Sequence, residues 1–93
     1  MFVFNAVPIP LNKSCERVAG AKVHIWVIAT DMESAKIRAL DYIANYFWEV
    51  TSLEYELEIP QEQISQLHED KIWLYQKALQ YGIAADFLEY LKE

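Results

Sequence analysis

Glycine and cysteine are almost missing from this 93-residue chain, which holds two glycines, Gly20 and Gly82, and one cysteine, Cys15. Two isolated glycines cannot build the glycine-rich loop that cradles phosphates, which excludes the Walker and dinucleotide fingerprints. A single cysteine excludes an intrachain disulfide and with it the stapled scaffolds of small secreted proteins, so a reducing cytoplasm is the expected compartment. Positive charge is scarce as well: 8 Lys and Arg stand against 14 Asp and Glu, a net charge of −6. Lys13, Arg17 and Lys22 are the densest basic group and Glu16 lies among them, so nucleic acid and anionic membranes are not expected partners. No apolar run approaches the roughly 20 residues of a membrane-spanning helix. The apolar start, broken by Pro8 and Pro10, lacks a basic leader and reads as folded structure.

What is abundant is apolar and aromatic: 54% hydrophobic residues, with three tryptophans and six tyrosines. That content supports one domain over residues 1–93 with its own core. Phe2 to Val7 reads as a short strand ended by prolines, a composition that suits a sheet edge. A polar loop follows from Asn12, with Gly20 as its turn residue. The strongest β signal covers 21–29, where Val23, Ile25 and Val27 alternate with His24, Trp26 and Ile28 in a central strand. Thr30 and Glu33 have the spacing of a capping box, opening a helix over 31–48 with Ile37, Leu40, Ala44 and Phe47 on its inner stripe. Over 50–59, Leu53, Tyr55, Leu57 and Ile59 alternate with Glu54, Glu56 and Glu58, the pattern of a strand with one dry and one wet face. Pro60 starts a second helix over 61–81 that includes Leu74, Tyr75 and Ala78, with a break near His68–Asp70 as an alternative, and Gly82 is its left-handed stop. The tail fits a helical stripe through Ile83, Ala84, Phe87, Leu88 and Leu91, with a strand over 83–88 as the alternative.

These elements predict an α+β fold: a two-layer sandwich in which a small antiparallel or mixed sheet is covered on one face by both helices. The arrangement resembles ferredoxin-like sandwiches, a likeness of fold that carries no function.

Candidate chemistry is sparse. Glu54, Glu56 and Glu58 share a strand face, but neighbours there stand about 6.5–7 Å apart, too far for one divalent cation; the plain reading is a solvated face paired with Lys22 or His24. His24 is the best general-base candidate, with Trp26 beside it, yet no nucleophile accompanies it. His68-Glu69-Asp70 begins like a zinc-protease signature, but Ile72 stands where the second histidine belongs. Two histidines and one cysteine cannot form a four-ligand zinc site, and no cofactor is expected. Cys15 sits between Lys13 and Arg17 with no resolving thiol. The aromatic residues exceed what so small a core buries, and Tyr and Trp favour interfaces.

The functional expectation is therefore a binding module that docks on another protein or on itself through an aromatic and acidic sheet face. Its candidate residues are His24, Trp26, Tyr46, Glu54, Glu56 and Glu58. The rival is a small enzyme or ligand sensor with a pocket at His24.

Overall fold

A computed structural model describes residues 1–13, 15–58 and 69–92. Among these residues four strands and two helices follow one another as β1 (Phe2–Pro8), β2 (Val18–Val27), α1 (Met32–Asn45), β3 (Trp48–Glu56), α2 (Glu69–Tyr81) and β4 (Ile83–Leu91). The strands form one open sheet in the order β3-β1-β2-β4, and every neighbouring pair is antiparallel. The α+β class stands, while this strand order does not reproduce the ferredoxin-like arrangement.

β1 is central, not an edge. Pro8 is its last residue, where a missing amide costs the ladder least, and the Met1–Phe4 run is buried on both sides of the sheet. Phe2 and Phe4 join Val23, Ile25 and Val27 beneath Ala35, Ala39 and Ile43 of α1. Met1 and Val3 point the other way, with Trp26 and Ala84, into a second core under Leu74 and Ala78 of α2. The helices therefore cover opposite faces, and the two-layer expectation is replaced by a helix on each side. The cause is that β1 and β2 carry large apolar residues in both parities, and each set requires a cover.

α1 begins one residue later than the capping box predicts. Asp31 is the N-cap, its carboxylate accepting from the Ser34 amide at 2.7 Å, and this bond lowers the Asp31 pKa. The inner stripe is rotated: Ala35, Ala39 and Ile43 are buried, whereas Ile37, Ala44 and Phe47 face water. Alanines at i and i+4 let the helix approach the sheet closely. Phe47 follows the helix with φ of 66°, a left-handed conformation costly for an aromatic residue, and its carbonyl accepts from the Ile9 amide and the Asn12 side chain, both at 3.1 Å.

β3 does not keep the strict alternation of its sequence. Its pairing with β1 skips Thr51 and Glu54, the extra residues of two bulges, so Leu53 stands over Phe4 on the α1 side while Tyr55 stands opposite Val3 on the α2 side. Gly20 is inside β2, not in a turn, and the loop before it is correspondingly shorter. Ile59 and Pro60, the expected helix start at 61–68 and His68 lie outside the described residues. Gly82 ends α2 as expected, with φ of 82° and its amide donating to the Ala78 carbonyl at 2.6 Å. The tail is strand β4, which overturns the helical expectation and extends the alternative to Leu91. No described helix is long and apolar enough to cross a membrane.

Candidate functional site

Three features bring β4 to one edge of the sheet. Gly82 reverses the chain out of α2. The Gly82 carbonyl then accepts from the Ile28 amide at 3.0 Å, joining the start of β4 to the end of β2. Arg38 of α1 ties both carbonyls, with Nη1 donating to Ile28 at 2.8 Å and Nη2 to Gly82 at 3.4 Å. At the far end the Lys92 amide donates to the Arg17 carbonyl at 2.9 Å. Even-numbered residues thus bond toward β2 at both ends. Antiparallel alternation turns the amides and carbonyls of Ile83, Ala85, Phe87, Glu89 and Leu91 to the other side, where no strand among the described residues pairs with them.

Side chains from both helices flank this edge. On the α1 side Trp48 packs against Phe87, with ring centroids 5.6 Å apart, although their strands are the two opposite edges of the sheet. Ala6 and Ala21, both fully buried between them, leave the floor low enough for the two rings to meet. Tyr46 lies 6.2 Å from Phe87 and 4.8 Å from Tyr42. Burial pushes the Tyr42 phenol up to about 12, helped by the hydrogen bond and charge of the Tyr46 hydroxyl. On the α2 side are Lys77 and Tyr81. Tyr42, Tyr46, Lys77 and Tyr81 line, with Ile83, Ala84 and Ala85, a cavity of about 330 Å³ beside the first half of β4.

The residues singled out from the sequence do not converge. Tyr46 is exposed and borders this edge. His24 is half-buried on the α2 side of the sheet, with Val3 and Asp86 as its cross-strand neighbours. Trp26, expected on an open face, is only 4% exposed; α2 covers it, and Tyr75 meets it edge-on at 5.2 Å. Glu54, Glu56 and Glu58 are exposed, but so are Tyr55 and Leu57, so the expected dry face is not kept, and the three glutamates lie at or beyond β3 on the far edge. Glu54 makes the expected pair with Lys22, 3.2 Å from either carboxylate oxygen, reaching across β1. Asn5 beneath it donates to Ser52 Oγ at 3.1 Å. Cys15 is half-buried and its thiol donates to the Pro10 carbonyl at 3.7 Å.

A second cavity of about 420 Å³ opens between the end of β2, the start of α1 and α2, lined by Trp26, Asp31, Met32, Glu58, Tyr75 and Leu79 among others. His24 lines neither cavity. Among the described residues no three His, Cys, Asp or Glu side chains gather as a metal site would require.

The residues of β4 were missed because the tail fits a helical stripe. The available signal was slight: Ile83, Ala85 and Phe87 stand at strand spacing with Asp86 among them directly after a glycine stop, while Leu88 and Glu89 break the alternation. No family model, curated protein or solved structure gives a significant match to this chain.

Proposed function

We propose that the protein is a docking module that binds another protein by strand addition at β4. The open row of backbone donors and acceptors from Ile83 to Leu91, with a cavity alongside, is the observation that carries this reading. Main-chain hydrogen bonds supply affinity in such pairing, and the pockets flanking the edge select side chains. Here Tyr42 and Tyr46 form one wall, and Lys77 and Tyr81 the other. The surface differs from an acidic sheet face: Tyr46 belongs to it, whereas Trp26 and the three glutamates do not. A cytoplasmic setting suits this reading, since Cys15 is a free thiol.

The test compares proteins captured from cell extract by the wild type and by Glu89→Pro. That change removes one outward amide and leaves the β2 ladder its donors. A partner lost by the variant, whose binding also slows amide exchange at Ala85, Phe87 and Glu89, supports docking at this edge. Equal capture by both proteins refutes it.

The cavity at Trp26 favours a second reading. Its volume lies within the range of small-molecule sites, and two aromatic rings with the Asp31 and Glu58 carboxylates suit a cationic ligand. Titration of Trp26 fluorescence with small ammonium compounds would reveal such binding, and an unchanged spectrum would remove the idea.

A further inference from the structure

We propose that the strand added at β4 is β4 of a second copy, antiparallel about a two-fold axis at Phe87, so that two four-stranded sheets become one of eight. This inference rests on β4 being a docking edge and names its occupant.

The backbone comes first. The midpoint of the nine-residue strand Ile83–Leu91 is Phe87, an outward-bonding residue. Centring the copy there sets every outward residue against another: Ile83 against Leu91, Ala85 against Glu89 and Phe87 against its own counterpart. The same patch serves both protomers, as an isologous two-fold interface requires.

Side chains select this register from its neighbours. Only slips of two residues keep outward groups facing outward groups. A slip one way sets Asp86 against Asp86, opposing like charges directly. A slip the other way replaces the Phe87 pair with Phe87 against Glu89. The centred register opposes no like charges and joins two phenylalanines on the axis.

Shape agrees with it. The 330 Å³ cavity borders Ile83, Ala84 and Ala85 in the first half of the strand. Leu91, at 70% exposure among the most exposed large apolar residues described, is in the last half, as is Glu89. Antiparallel pairing carries Leu91 and Glu89 of each copy opposite Ile83 and Ala85 of the other, on the side of its cavity walled by Tyr42 and Tyr46. Tyr90 takes no part in this, because its ring leans back over Gly20. Two such cavities are filled in the pair, each by the other copy.

The experiment is sedimentation of the full chain over a concentration series, with Leu91→Lys and Glu89→Pro beside the wild type. A dimer is expected, with each variant weakening association at least tenfold while circular dichroism of the monomer is unchanged. A double variant, Ala85→Cys with Glu89→Cys on a Cys15→Ser background, is expected to oxidise to a covalent dimer. Positions 85 and 89 lie about 13 Å apart along one strand, so no bond within the chain can form. A wild type that stays monomeric at about 1 mM, where even weak association shows, overturns the proposal. So does a dimer that both variants leave intact. A monomeric wild type that nevertheless loses a captured partner on Glu89→Pro would sink the second copy alone and leave strand addition standing.

Discussion

Replacing Gly20 with alanine tests the placement of β4 directly. Gly20 is fully within β2 and its φ is not left-handed, so its backbone accepts alanine readily. Taken alone, the exchange would raise stability by about 0.5–1 kcal/mol through the unfolded chain. The surroundings reverse that sign. A Cβ here meets Tyr90 Cζ at 2.7 Å and the Ala6 carbonyl oxygen at 2.8 Å, with the Tyr90 hydroxyl closer still. The tyrosine can swing aside, but the carbonyl belongs to the central strand and cannot. A backbone contact that cannot yield falls in the upper half of the roughly 1–3 kcal/mol that overpacking costs, which leaves a net loss of about 1–2.5 kcal/mol. For a chain of this length that is a fall in Tm of roughly 5–10 °C. Urea denaturation of Gly20→Ala, Tyr90→Ala and the double variant measures it. The two changes should couple by at least about 0.5 kcal/mol, because removing the ring relieves part of the clash. A Gly20→Ala protein as stable as the wild type, or strict additivity, would refute the packing of Tyr90 across β2 and with it the strand at 83–91.

Trp26→Ala should cost about 3–5 kcal/mol, since the side chain is buried under α2 against Tyr75. If both helices shared the other face, Trp26 would stand in water and the same change would move stability by less than about 0.5 kcal/mol, so thermal melts separate the two arrangements. For Tyr42, whose phenol is raised from 10 to about 12 in the folded state, the native form holds its proton after the unfolded chain has released it. Its contribution to stability is therefore complete below pH 10 and is lost as pH rises toward 12. Ultraviolet titration of tyrosinate should show the last step missing in Tyr42→Phe; an unchanged alkaline limb would contradict the Tyr42–Tyr46 contact.

The regular elements were legible wherever one local rule ruled alone. Central β2 announced itself through Val23, Ile25 and Val27, and Gly82 through the need for a left-handed stop. Other features depended on partners distant in the chain. The Met1–Phe4 run is apolar in both parities, the mark of a strand buried on both faces, yet Pro8 by itself favours an edge. The inner stripe of α1 was misphased because Ala35 and Ala39 look weaker than Ile37 and Phe47, whereas close approach to a sheet selects for small side chains. The alternation of Leu53 to Ile59 hid the bulges at Thr51 and Glu54, which arise from pairing with β1 and leave no mark in composition. The tail, with apolar residues at both helical and strand spacing, was decided by β2 offering nine backbone partners.

The same two-sidedness explains why the candidate site lies at β4 and not on the sheet face. Among the described residues, twelve buried side chains fill the α1 core and only six fill the α2 core. The α1 core, the larger of the two among these residues, reaches the sheet edge at β4 through Ile83, Ala85 and Phe87. There the aromatic residues are shared between duties: Trp48 is buried, Phe87 is half-buried and Tyr46 is 53% exposed within one continuous cluster. The glutamates of β3 keep the opposite edge wet, and Thr51 and Glu54 kink it with bulges, two devices that block sheet extension. β4 has neither a bulge in its own chain nor a proline. The two edges thus differ, and the pairing proposed above, which uses β4 alone, would close as a dimer and build no fibre.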